Sequence, residues 1–595
     1  MIVLERIEAR LARLRRELSG LRVGVHPADF GRFSRGMAGL LQGIDVRAIF
    51  LADPRAHDQG YPPQTDPDAF LDAVDVCLLW GLDEGAARLL LAARASGRAT
   101  RFIALLDRGD PWNLLWDRPD YTILDGLRLD PADPALTALG IDTAHLGRNF
   151  SRTGASEKRL RAAAGVPLPA GRSPWRPFAG SILRTGRAYA VCPVCGQALS
   201  SSESYPVTGP GFGGLVFHRF HCHLEFHLLA GIYGEGLYGM YLPGAEILVR
   251  NHLGDDPSLA FGFRGELYAV LADRLKLCCL HMPELVRRYQ ASAEPRIIQG
   301  LTGVVHHLGD HLQWEITALE RLARSGPSSG ALDRLLVTRY DPYSVAELFP
   351  ELPVVSVLAP SEERVCAETF RQSLAGNALC VLSTGLCPVS ERLARRIRRI
   401  ARERCPLGLV RRLEAFRKAH RPVVWLTLRS RRRVWRGQVE GLAQVLNALA
   451  RSHPGLGVLV DGAPAWERGT LAELRGRLEG VAIFDALGLA LHESIVAAQC
   501  ADFFIAPHGN GTNFTSLANV PGILHGPRRF MGFVPDQREP VPLVPNPRQN
   551  AVASLALPPV WDDGDPDGLN NGLYDLDPEA LLRLALDMAG APGRG

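Results

Sequence analysis

Residues Asp502–Pro527 read DFFIAPHGNGTNFTSLANVPGILHGP. An apolar strand, Asp502–Ala506, runs into a turn rich in Gly and Asn, then a short helix, then another strand. Glycine carries no Cβ, so backbone N–H groups in such a turn approach a ligand closely. A helix that follows directs its positive end at the same spot. His508, Gly509, Asn510, Gly511, Thr512 and Asn513 therefore form a candidate site for a phosphate or another anion.

Outward from this stretch, apolar strands and helices alternate. PVVWLTLR, a helix over 436–452, LGVLVDG, a helix over 468–478, VAIFDA and a helix over 491–499 lead up to it. An earlier set comprises a helix over 302–324, LDRLLVTRY, a helix over 343–348, PVVSVLA, a helix near 362–374, ALCVLST and an Arg-rich helix over 389–404. A third set occupies 21–107, with strands LRVGVHPA, VRAIFLAD, VDVCLLWG and TRFIALLD and helices near 31–42 and 84–97. Such alternation predicts Rossmann-like α/β units, whose ligands sit beyond the carboxyl ends of the strands. The first turn of the third set, His26–Gly31, lacks G-x-G-x-x-G, while Asp53 ends a strand where an acid can meet a ribose. Dinucleotide binding and a purely structural unit both stand for that domain.

The predicted organisation is an N-terminal Rossmann-like domain with a leading amphipathic helix (1–110), a connecting segment (111–175), a Gly-, His- and Cys-rich subdomain (176–300) with helices near 264–290, a first lobe (301–408), a second lobe (409–530), and a C-terminal tail with a closing helix (531–595). At 595 residues the chain exceeds one core. A net charge of +4 does not suggest a nucleic-acid-binding surface. No apolar run spans a bilayer, and Glu5, Arg6, Glu8 and Arg10 stand where a signal peptide needs an apolar core, so a soluble cytoplasmic protein is expected. Eleven scattered cysteines fit reduced thiols. Leu4, Ile7, Leu11, Leu14, Leu18 and Leu21 form a short heptad stripe, which either packs on its own domain or makes a homodimer. The arginines of 392–436 form a basic zone that suits peripheral contact with anionic lipid or glycan.

Four strand ends converge on the second lobe's ligand face. They carry Arg429 with the run to Arg433, Asp461–Gly462, Glu493 at a helix start, and the His508–Asn513 turn. Arginine is a planar, permanently charged double donor suited to a diphosphate, and a carboxylate suits a ribose or sugar hydroxyl pair. The alternative is a solvated charge run beside a glutamate that only serves its helix N-terminus.

These motifs resemble the family 61 glycosyltransferases and bacterial capsule-type glycosyltransferases. The resemblance lies in the Asp502–Asn513 strand and turn, the Arg429–Arg433 loop, and the helix containing His306, His307, Asp310, His311, Trp314 and Glu315. It spans roughly 300–530; Asn510 departs from the family's Ala, and the turn is one residue shorter. The resemblance implies a GT-B-like pair of Rossmann-like lobes, here preceded by an extra N-terminal Rossmann-like domain. It further implies a nucleotide-sugar donor, no catalytic metal, and a glycan acceptor such as a capsule polysaccharide.

Along VVHHLGDHLQWEITALERL, helical spacing puts His307, Asp310, His311 and Trp314 on one face. His307, Asp310 or His311 is then a candidate base for an acceptor hydroxyl. A metal pair at His307 and His311, or satisfied structural polar groups, are the other readings. Cys192-Pro-Val-Cys195-Gly is a zinc-type turn, with Cys222 and His221 as candidate further ligands. The other reading is buried free thiols. Asp562–Gly568 imitates a calcium loop, but Tyr574 stands where its glutamate should be, so it reads as a solvated acidic turn. The predicted function is metal-independent glycosyl transfer. A non-catalytic nucleotide- or glycan-binding protein, or an oxidoreductase using NAD in the N-terminal domain, are the alternatives.

Overall fold

The computed structural model describes residues 12–26, 41, 44–50, 63–79, 84–104, 121–126, 128–150, 154–165, 177–208, 214–231, 237–251, 265–325, 332–356, 362–382, 389–430, 434–507, 511–527, 553–557, 559–560 and 573–590. It divides into two units. One comprises Met1–His307, Arg321–Asp341 and Pro350–Gly385; the other comprises Leu308–Glu320, Pro342–Phe349 and Leu386–Gly595.

Three all-parallel sheets carry the fold. The N-terminal one orders its strands Pro63–Gln64, Val46–Phe50, Val23–His26, Val76–Leu79, Arg101–Ala104. The next orders Val354–Ser356, Arg334–Val337, Ile297–Thr302, Ala378–Leu382. The second unit's sheet orders Ala482–Asp485, Gly457–Asp461, Val423–Thr427, Phe503–Pro507, Gly522–Pro527, Ala553–Leu557. In every case the first strand in the chain lies inside, the second and third extend to one side, and the fourth pairs on the other. That is the Rossmann pattern, with its switch point between the first and fourth strands. The expected α/β class is present: a pair of Rossmann-like sheets preceded by an N-terminal one. Strands such as VVWLT, GVLVD and FFIAP are buried throughout, as parallel strands covered on both faces must be.

Between the first two parallel sheets in sequence lies a mixed six-stranded sheet, Thr122–Asp125, Ile247–Arg250, Leu237–Leu242, Glu225–Ala230, Gly214–His221, Ser204–Thr208. Its edge strand Thr122–Asp125 comes from the segment read as connecting. Beside it, Asn149 donates to the Val191 carbonyl (2.9 Å) and accepts from the Val191 N–H (2.8 Å), completing the edge of the Ala188–Val191 strand.

Local differences from the sequence reading have physical causes. The helix expected from 302 begins only at Leu308, because the strand continues to Thr302 and Gly303 then turns the chain. Gly303 has φ +77°, and a Cβ there would lie 2.5 Å from the Tyr340 carbonyl. A helix over Leu407–Ala419 and the edge strand Ala553–Leu557, which falls inside the segment read as a C-terminal tail, were not predicted. Leu14 and Leu18 are buried in the core with Val23 and Val25, so this part of the leucine stripe packs on its own domain. His26 is buried and its Nδ1 hydrogen-bonds the Phe50 carbonyl at 3.0 Å. The rest of that turn, Asp53, the acidic loop Asp562–Gly568 and, apart from Leu41, the helix near 31–42 lie outside the described residues.

The Arg-rich helix Glu391–Arg404 starts at an Ser390 N-cap and buries Leu393, Ala394, Ile397, Ile400 and Ala401 on one face. Its cations are largely spent on neighbours: Arg398 pairs with Glu391, Arg399 with Glu403, Arg402 with Glu414 and Arg404 with Glu347.

Candidate functional site

The switch point of the second unit's sheet falls between Val423–Thr427 and Phe503–Pro507. Beyond Thr427 the chain is fixed in place. The Leu428 N–H donates to the Asp461 carbonyl (2.9 Å). The Arg429 N–H donates to Gln438 Oε1, and Gln438 Nε2 returns a bond to the Arg429 carbonyl, each 3.0 Å. The Ser430 N–H donates to Glu467 Oε1 (3.1 Å), and its hydroxyl to the Trp466 carbonyl (3.2 Å). A backbone held at so many points delivers the Arg429 side chain from a rigid base.

Among the described residues, three titratable groups interact with Arg429. Asp461 ends its strand nearly buried, and burial lifts its carboxyl to about 7. The Gly462 N–H, the Arg429 charge and the Thr427 hydroxyl oppose that rise, and the Glu467 charge adds to it. Burial likewise raises Glu467. His525 lies within the next strand but one, Gly522–Pro527. Burial and then the Arg429 charge push it down to about 3, so it is neutral, with Nδ1 2.6 Å from the Tyr574 hydroxyl. An acid at the end of the second strand of a Rossmann sheet is placed to meet a ribose hydroxyl. A carboxyl poised near neutrality in a crevice marks a functional candidate.

The helix Gly511–Leu517 follows the fourth strand. Asn513 is buried on it, and its Oδ1 has no hydrogen-bond partner among the described residues. Arg398 donates to the Leu517 carbonyl (2.6 Å) and so holds the far end of this helix. Arg433, His508, Gly509 and Asn510 lie outside the described residues; Gly511 and Thr512 open the helix. Glu493 accepts from the Ala490 N–H (2.8 Å), serving its own helix start. Sequence reasoning missed Gln438, Glu467 and His525. A polar residue closing the apolar run Gly-Ile-Leu-His was the available signal for His525.

The second constellation does not form the expected face. His307 precedes the helix, and His311–Ile316 is wound as a π-helix. Glu315, four residues on, meets His311: the His311 Nδ1 and the Glu315 carboxylate hydrogen-bond, both fully buried. The His311 ring stacks on Tyr343, with centroids 6.0 Å apart. His311 is thus an interior group, whereas His307 and Asp310 are half-buried. π-turns recur at functional sites, where they re-aim side chains.

The third constellation gathers Cys192, Cys195, Cys222 and His223, with ligand atoms all within 4.8 Å of one another. His221, the residue singled out from the sequence, instead ends the Gly214–His221 strand opposite Glu225. Strand alternation stops at the hairpin tip, so counting residues could not choose between the two histidines.

No protein-family model and no curated protein matches the sequence. Among solved structures, the chain is similar to the Escherichia coli ADP-heptose LPS heptosyltransferase II, at 11% identity and a TM-score of 0.31, over 49% of this chain and 98% of that one. The E. coli heptosyltransferase WaaC with ADP gives 14% identity and a TM-score of 0.24, over 58% and 85%. The UDP-GlcNAc 2-epimerase of Methanocaldococcus jannaschii gives 11% and 0.23, over 48% and 78%.

Proposed function

We propose that the protein is a metal-independent glycosyltransferase that binds a nucleotide-sugar donor at the second unit's switch point and glycosylates a glycan acceptor, as a distant relative of the family 61 enzymes. The observation that carries this reading is the Rossmann strand order with Arg429, Asp461, Glu467 and His525 gathered at its ligand edge. In this reading Arg429, with Arg433, faces the diphosphate, since guanidinium supplies permanent charge and paired donors without a cation. Asp461 takes a ribose hydroxyl pair, and the His508–Asn513 turn lies against the phosphates. His307 or Asp310 takes the acceptor proton, and the buried His311–Glu315 pair positions their segment.

The test is a melting-temperature screen against UDP, GDP, CMP and ADP, with and without EDTA, on wild type and Arg429→Ala. A ligand that binds only the folded state raises Tm. One nucleotide is expected to do so regardless of EDTA, with affinity falling about 100-fold in Arg429→Ala, roughly the loss of one charge-assisted pair. Unchanged affinity would remove Arg429 from the site. Nucleotide binding without turnover of any sugar donor would favour the non-catalytic alternative.

A further inference from the structure

Two hairpin tips meet on one flank of the first unit. Ala188–Val191 and Ala198–Ser201 form a hairpin whose turn is Cys192-Pro-Val-Cys195-Gly-Gln. Gly214–His221 and Glu225–Ala230 form another, whose turn is Cys222-His223-Leu224. The strand Ala198–Ser201 packs beside Gly214–His221, so the turns face each other. The first turn is closed by the Gly196 N–H to the Cys192 carbonyl (3.0 Å) and the Cys192 N–H to the Gln197 carbonyl (2.8 Å). Gly196 has φ +74°, and a Cβ there would strike the His145 ring at 2.7 Å, so glycine fits both constraints. The N–H groups of Val194 and Cys195 point at the Cys192 sulfur.

We propose that Cys192, Cys195, Cys222 and His223 bind a structural zinc ion that joins the two hairpins. In a tetrahedron with Zn–S of about 2.3 Å and Zn–N of about 2.05 Å, sulfurs lie about 3.8 Å apart, and sulfur lies about 3.6 Å from nitrogen. The spacings here are 3.9 Å for Cys195 Sγ to Cys222 Sγ, 3.3 Å for Cys222 Sγ to His223 Nδ1, and 3.8 Å for Cys192 Sγ to His223 Nδ1. Three soft thiolates and an imidazole are the donor set of a closed structural zinc site. A two-stranded hairpin is marginal alone, and the ion ties it to the larger sheet. The proposal is independent of the glycosyl-transfer reading.

Elemental analysis of the purified full chain decides it, together with alkylation of the native protein mapped by mass spectrometry. One zinc per chain is expected, with Cys195 and Cys222 shielded from alkylation until a chelator is added. The chelator should also lower Tm by several degrees. His223→Ala should lose zinc and His221→Ala retain it; the wild-type alkylation pattern stays decisive if His223→Ala fails to fold. Zinc-free protein whose Cys195 and Cys222 alkylate freely would overturn the proposal. So would a Cys195–Cys222 disulfide, or zinc retained in a folded Cys195→Ser, Cys222→Ser double variant.

Discussion

Lys276→Ala is expected to destabilise the first unit by about 3–5 kcal/mol, the usual cost of leaving one member of a buried ion pair alone. Lys276 Nζ lies 2.7 Å from Glu246 Oε2, with both side chains almost wholly buried. The same carboxylate oxygen accepts the Tyr241 hydroxyl at 2.9 Å. The ammonium also lies 4.8 Å from the centre of the Tyr121 ring, and the Tyr121 hydroxyl donates to Asp273 (2.7 Å). Removing the ammonium strands an anion in an apolar interior and withdraws the cation from an aromatic face. The check is the urea midpoint of the unit's unfolding transition. Lys276→Met combined with Glu246→Gln should recover most of the loss, because no lone charge remains. Glutamine is the better replacement for Glu246, because its amide oxygen can still accept the Tyr241 hydroxyl. A cost below about 1 kcal/mol for Lys276→Ala would mean that water reaches the pair.

Asp461→Asn is expected to stabilise the second unit at pH 8 while weakening nucleotide binding. The folded carboxyl titrates at about 7, well above its unfolded value. Its favourable contribution is therefore complete below about pH 4, is lost as pH rises from about 4 to about 7, and changes no further beyond that. The span corresponds to about 4 kcal/mol as an upper bound, at about 1.4 kcal/mol per unit. The asparagine variant should lack this slope and gain about 2–4 kcal/mol at pH 8, read from urea unfolding at pH 5 and pH 8. If the carboxylate accepts a ribose hydroxyl pair, wild-type affinity should rise through pH 7 as Asp461 ionises. The variant should be flat with pH and about tenfold weaker. Such opposed effects are what a strained binding residue produces. Equal slopes in both proteins would return Asp461 to an ordinary surface carboxylate.

The parallel sheets were legible because buried strands such as Val423–Thr427 and Phe503–Pro507 are short apolar runs, and strand ends follow directly from them. Arg429 and Asp461 could be placed at strand ends for that reason. Gln438 and Glu467 reach the same strand end from helices, where spacing tells which face a residue occupies but not which strand end it meets. Glu493 reads identically as a ribose acceptor or as a helix-start acceptor, and the structure places it at Ala490. The π-turn at His311–Ile316 breaks the 3.6-residue period on which the His307–Trp314 face was built. Ala553–Leu557 was hidden because neighbouring prolines read as punctuation, although proline is tolerated at a sheet edge.

That edge strand and the helix Pro578–Gly590 also set a timetable for synthesis. Leu581 and Ala585 share a core with Val424, Leu446 and Val458, and Tyr574 closes over His525. The ribosome delivers these pieces after the strands they cover. Until then, the growing chain presents an open sheet edge and an uncovered apolar helix face, the surfaces that chaperones hold and that aggregation exploits. Cutting the chain before Pro578 would leave the apolar face that this helix covers permanently bare.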